Sequence, residues 1–167
     1  MVSKQEKIRT VISVTIIMIT LGSLYTFGAI IPYLSSYLYY QGNQTSDASL
    51  AIVYTMATVN VNVGLFIDSF LKKRRLTNKQ ICIVSIIVLS FSIFLTSFMN
   101  ELIGLIIFFG IFNGIGMGIG YTCPLKNSDY AFPNRKGFCV GFCMAGFGFG
   151  SVIFNQVILQ VINPQSK

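Results

Sequence analysis

Charged residues punctuate an otherwise apolar chain. Between them lie uncharged runs of 37 residues (10–46), 20 (48–67), 21 (80–100), 24 (102–125) and 30 (137–166). A hydrocarbon core about 30 Å thick takes about 20 mostly apolar helical residues, rising about 1.5 Å each, so every run can cross a bilayer once. The pattern predicts an all-α, polytopic membrane protein with five transmembrane helices. Their expected bounds are 10–39, 48–71, 79–99, 101–123 and 137–162, in one transmembrane domain. The first run is too long for the apolar region of a cleaved signal peptide and is kept as a helix.

Composition agrees: 53% of the 167 residues are hydrophobic and 10% charged, against about 25% charged in a soluble domain. There is no His, and Glu6, Asp47, Asp68, Glu101 and Asp129 are the only carboxylates. Parts for acid-base or metal chemistry are therefore scarce, and the chain reads as a non-enzyme with no metal and no cofactor. Cys82, Cys123, Cys139 and Cys143 read as small apolar fillers.

Positive residues in short loops are retained on the cytoplasmic side. Lys4, Lys7, Arg9, Lys72, Lys73, Arg74, Arg75, Lys79, Lys126, Arg135 and Lys136 fall on one side of the membrane, and only Lys167 falls on the other. The split predicts a cytoplasmic N-terminus and a C-terminus on the opposite side. It also accounts for the net charge of +7 as membrane anchoring, with no nucleic-acid partner. Asn43-Gln44-Thr45 forms a glycosylation sequon in the exterior loop.

Eleven of the fifteen glycines lie between residues 104 and 150. Gly110, Gly114 and Gly118 repeat every four residues in the fourth helix, as do Gly137 and Gly141, then Gly146 and Gly150, in the fifth. Small residues at this spacing let helix backbones approach closely in lipid, where van der Waals contact replaces the hydrophobic drive. Gly110, Gly114, Gly118, Gly141, Gly146 and Gly150 are the candidate packing glycines. None of the spans carries Lys, Arg or His near its middle. Polar candidates for a cavity wall are Tyr25, Asn60, Asn113 and Asn155. Asn62 sits about 200° around the helix from Asn60, so the two cannot both face inward, and Asn60 is favoured because it lies one turn from Gly64 on the same side.

The second-to-third junction reads GLFIDSFLKKRR. It resembles the signature loop of the major facilitator superfamily, Gly-x-x-x-Asp-Arg-x-Gly followed by two basic residues, with Gly64, Asp68, Lys72 and Lys73 matching and Ser69 and Leu71 departing. The segments LGSLYTFGAIIPYLSSYL (21–38) and GIGMGIGYTCPLKNSDYAFPNRKGFCVGFCMAGFGFGSVIF (114–154) are similar to the oxalate/formate antiporter and monocarboxylate transporter group. In that group an aromatic precedes a Phe-Pro and a basic-basic-Gly sequence. Here Pro133, Arg135, Lys136 and Gly137 match, and Ala131 takes the aromatic's place.

The resemblance implies five of the six helices of an N-terminal bundle, with Gly64, Asp68, Lys72 and Lys73 as a cytoplasmic gate. It implies helices one, two, four and five around a cavity. Superfamily members carry two six-helix halves, each an inverted repeat, with substrate between them. The expected function is half of a secondary transporter for small carboxylates, working by alternating access and completed by a sixth helix and a C-terminal half. Basic substrate partners and any proton carrier would reside in that second half. The alternative is a transporter-derived, non-transporting structural subunit of a larger membrane assembly. Partners are then the lipid bilayer, the missing half or other membrane subunits, and a small carboxylate.

Overall fold

The structure is a computed structural model that describes residues 4–40, 42, 46–131 and 136–162. Every regular element among them is helical. Five stretches are long and apolar enough to cross a membrane: Gln5–Tyr40, Asp47–Lys73, Asn78–Thr96, Leu102–Asp129 and Lys136–Val161. The protein is an all-α, multi-pass integral membrane protein.

The first stretch comprises α1 (Lys4–Leu21), a 3₁₀ turn (Gly22–Thr26) and α2 (Phe27–Tyr40). α3 (Asp47–Lys73) and α4 (Asn78–Thr96) follow. The fourth comprises α5 (Leu102–Leu105), a π-helical segment (Ile106–Asn113) and α6 (Gly114–Ala131), and runs eight residues past its expected end at 123. α7 (Lys136–Ile162) is the fifth. The sequon at Asn43 and the loop residues Pro133 and Arg135 lie outside the described residues.

Local chemistry sets the ends of α3. Ser46 accepts the Ser49 N–H at 3.3 Å, Asp47 sits in the first turn, and Lys72 and Lys73 in the last, complementing the helix dipole. The helix stops at Arg75, whose φ of 65° is left-handed, while the Arg75 N–H reaches Lys72 O at 3.0 Å and the Leu76 N–H reaches Leu71 O at 3.4 Å. α4 begins where Gln80 Oε1 accepts the Thr77 N–H at 2.9 Å.

The chain divides into two compact units, Phe27–Gly120 and Met1–Thr26 with Tyr121–Lys167. In the Phe27–Gly120 unit, Phe27, Leu38, Leu50, Val53 and Leu105 form a buried cluster. Phe27 stacks on Phe109 at 4.3 Å and on Tyr54 at 6.4 Å. α4 buries Ile81, Ser85 and Ser92 and turns Ile83, Ile86, Ile87, Phe91 and Phe94 outward. That polarity is inverted relative to a soluble amphipathic helix, as lipid solvation requires. Ser85 Oγ donates to Gly116 O at 2.8 Å and Ser92 Oγ to Phe108 O at 2.6 Å. Asn60 Nδ2 donates to Gly110 O at 3.4 Å and to Met56 O at 2.9 Å. Gly110 O and Phe108 O both belong to the π-helical segment, so neighbouring helices bond to it where its turns are widened.

The backbone of α3 meets the fourth span at glycine. A methyl built on Gly64 would come within 2.8 Å of Gly118 Cα, and one on Gly118 within 2.7 Å of Gly64 Cα. One on Gly114 would reach Asn60 Cβ at 2.9 Å, and one on Gly110 would reach Met56 Cβ at 3.2 Å. Gly116 faces the other side, against Val88 and Leu89 of α4.

The other unit repeats the device with α1 and α7. Val14, Met18 and Leu21 of α1 are buried, as are Cys139, Cys143, Gly146 and Gly150 of α7. A methyl on Gly22 would come within 3.2 Å of Gly150 Cα, and one on Gly150 within 2.8 Å of Ile19 Cα. A methyl on Gly146 would sit at an ordinary 3.6 Å from Met18 Cβ. Gly141, expected as a packing glycine, has nothing within 4 Å of its methyl position among the described residues, nor has Gly137. The stripe that does pack runs through Cys139 and Cys143 instead, at the same helical face as Gly146 and Gly150. Cys139 and Cys143 are free thiols. Cys82 and Cys123 do not carry free thiols, so the reading of those two as plain fillers is corrected.

Candidate functional site

In an apolar bilayer interior, aromatic and amide groups are the available means of recognising a polar solute, and their placement locates the candidate site. Tyr25 lies in the 3₁₀ turn, half exposed at 53%, with its ring edge-on to Phe147 of α7 at 5.3 Å. Tyr121 of α6 meets the same Phe147 edge-on at 5.9 Å, and its hydroxyl donates to Met144 Sδ at 3.2 Å. Three aromatic rings and a thioether from three helices thus converge in the α1–α7 unit. A thioether is a weak acceptor, so the Tyr121 O–H is held in place at low cost and can turn to a stronger acceptor. A phenol O–H is suited to donate to a carboxylate. Two phenols against one aromatic platform could bind both the charged and the apolar end of a small organic acid.

Of the expected wall residues, Tyr25 stands at this cluster. Asn155, in the same unit, is half-buried, with a buried Oδ1 that has no hydrogen-bond partner among the described residues. Asn60 and Asn113 belong to the other unit. Asn60 is the half-buried amide and Asn62 the exposed one, but the Asn60 amide is occupied by Gly110 O and Met56 O, which makes it a link between helices. Asn113 is buried at the end of the π-helical segment.

The residues expected at a gate, Gly64, Asp68, Lys72 and Lys73, all lie in the Phe27–Gly120 unit. Gly64 is buried against Ile115 O and Gly118, and Asp68 is 1% exposed and ion-paired with Lys72 one turn on. Burial of a carboxylate is costly unless it is paired, and Lys72 supplies the charge. Lys73 is exposed, as are Lys136 and Gly137 at the start of α7.

Sequence reasoning missed Tyr121, Phe147 and Met144, and it missed the bonding serines. Ser85 and Ser92 are seven residues apart, which puts them on one helical face, and that spacing was available as a signal. Tyr121 carried a weaker one, a phenol that follows the glycine-rich run Gly114–Gly120 in the fourth span.

The chain is 28% identical over 153 residues, 92% of its length, to the uncharacterized MFS-type transporter YhjX of Escherichia coli (strain K12). It is 40% identical over 58 residues, 35% of its length, to apicoplast pyruvate carrier 1 of Toxoplasma gondii. The matched stretches are 37% and 11% of those two proteins, so the chain spans little more than a third of the longer match. No protein-family profile matches it and no solved structure matches it. Both relatives are membrane transporters, and the similarity supports a transporter family for this chain.

Proposed function

We propose that this chain supplies five helices of a secondary transporter for small carboxylates that works by alternating access with helices beyond this sequence. The observation that carries the reading is the similarity to an MFS-type transporter along 92% of the chain. The pyruvate carrier among the relatives favours a small organic acid as cargo. The Tyr25, Tyr121 and Phe147 cluster supports it, because two phenol donors beside a ring suit a carboxylate with a short apolar tail. The concentration of basic residues at the starts of α1 and α7 and in the α3–α4 loop favours a cytoplasmic side for them, with Asp68 and Lys72 as the inner gate of this reading. The spans hold no central cation, so the balancing positive charge comes from the completing helices.

The test is uptake of pyruvate and oxalate into proteoliposomes holding the chain together with its completing helices, under a proton or counter-substrate gradient. Uptake is expected. Tyr121→Phe should raise KM about tenfold, the usual effect of deleting one hydrogen bond to a charged group. If neither acid moves under any gradient, transport of carboxylates is wrong. Native mass in mild detergent then decides what remains: co-migration with unrelated membrane chains would favour the structural subunit.

A further inference from the structure

A cavity in the α1–α7 unit is built from chemistry different from that of the aromatic cluster. Val11 and Val14 of α1, Ser128 of α6, and Phe138, Cys139, Phe142 and Cys143 of α7 enclose a volume of about 150 Å³. A dry apolar cavity of about this size accepts a benzene ring. Two of its walls are the free thiols. Cys139 and Cys143 are one helical turn apart, which sets their Cβ atoms about 5–6 Å from each other on one face. Both are buried, Cys143 to 1% exposure, while Phe138 at the rim is 73% exposed. Water-soluble charged reagents are kept from such thiols, whereas an uncharged, lipid-soluble one can enter between the rim aromatics.

We infer that Cys139 and Cys143 form a dithiol site that captures uncharged aryl compounds of trivalent arsenic, with the aryl ring seated between Val11, Val14 and Phe142. The geometry selects this class. Two thiols on one helical turn can chelate one arsenic, and among the described residues no group of three or more His, Cys, Asp or Glu could hold a metal ion. An aryl arsenical brings its own third substituent as carbon, so two sulfurs complete it, whereas a structural zinc needs four protein ligands. The reaction balances without any redox partner. Phenylarsine oxide condenses with both thiols, two S–H bonds break, two As–S bonds form, and the oxygen leaves with both protons as water. Cys82 and Cys123, which carry no free thiol, do not compete.

The experiment treats the full chain in mild detergent with phenylarsine oxide and reads the adduct by intact mass. One arsenical per chain is expected. It should survive an excess of a monothiol and come off with 1,2-ethanedithiol, since only a second dithiol matches the chelate. Cys139→Ala and Cys143→Ala should each lower retention on dilution by about a hundredfold or more, the loss expected when one of two linked contacts is removed. Alanine keeps both positions small, and an unchanged far-UV spectrum and elution volume certifies each variant as folded. Val14→Phe fills the cavity while leaving both thiols in place, and should slow capture about tenfold, as a blocked seat for the ring would. Absence of an adduct on the unmodified chain, or full retention in both folded alanine variants, overturns the site. An unchanged capture rate in Val14→Phe overturns the seating of the ring.

Discussion

The two glycine crossings are built on one plan. In one unit Gly64 faces Ile115 O and Gly118 faces Val61 O; in the other, Gly22 faces Phe147 O and Gly150 faces Ile19 O. Each glycine therefore meets the carbonyl three residues before its partner glycine. Within each pair the contacts keep a near-constant sequence offset, as they do only when two helices run parallel. First and fifth spans do so, and second and fourth do so, as a five-crossing chain demands. The crossings differ in what surrounds them. The α3 crossing continues through Gly114 and Gly110 and is tied by the Asn60 bond to Gly110 O, while Ser85 and Ser92 of α4 hold the fourth span from its other side. The α1–α7 crossing relaxes within a turn, at Gly146, and beyond it the helices leave room for the thiol-lined cavity. The same close contact thus yields a locked pair in one unit and a pair with working space in the other, and the aromatic cluster sits with the latter.

The largest effect comes from disturbing the locked pair. Gly118→Ala puts a methyl into a crossing that Asn60 ties to Gly110 O and whose fourth span is pinned from its other side by Ser85 and Ser92 of α4, and should cost about 3 kcal/mol in unfolding by mixed micelles followed by circular dichroism. Gly150→Ala makes the same collision where α7 has freedom to shift, and should cost about half as much. Equal losses would break the comparison, because they would mean that the surrounding hydrogen bonds add no rigidity.

Those bonds can be tested by themselves. Ser85→Ala and Ser92→Ala each delete one helix-to-carbonyl bond without opening a large cavity, and should each cost about 0.6 kcal/mol, the average for such bonds in membrane proteins. After the double change, Gly118→Ala should become cheaper to accommodate. That non-additivity, measured as a cycle, would sharpen the link between bonds and crossing.

The helices were legible in the sequence because the bilayer demands long apolar runs, and charges interrupt those runs at Asp47, Asp68, Lys79, Glu101 and Lys136. The glycine stripe of the fourth span was legible for a related reason, since Gly110, Gly114 and Gly118 share one face at regular α spacing. Less was legible where the backbone leaves the α-helix. The 3₁₀ turn at Gly22–Thr26 and the π-helical segment at Ile106–Asn113 change which residues share a face, and neither carries a proline to announce it. Gly22 therefore escaped notice as a crossing residue, and Gly141 was assigned to a stripe that Cys139 and Cys143 occupy. The candidate site was half legible. Tyr25 stood out as a phenol in mid-span, but its companions Tyr121 and Phe147 come from helices whose rotation only tertiary packing fixes.

The smallest effect separates the stripes most cleanly. Gly141 lies two residues before Cys143, about 200° around the helix from the face that Gly146 and Gly150 share, exposed, with open space at its methyl position among the described residues. Gly141→Ala should therefore leave stability unchanged or raise it by up to about 0.5 kcal/mol through helix propensity, in the same micellar unfolding measurement that registers the loss at Gly150. The outcome carries further when the chain is joined to its completing helices. A change that is silent in the isolated chain yet lowers stability of the completed protein would mark the Gly141 face of α7 as one that another helix covers. A change silent in both would leave that face to lipid, and the close contacts of α7 would then be confined to the residues that already touch α1.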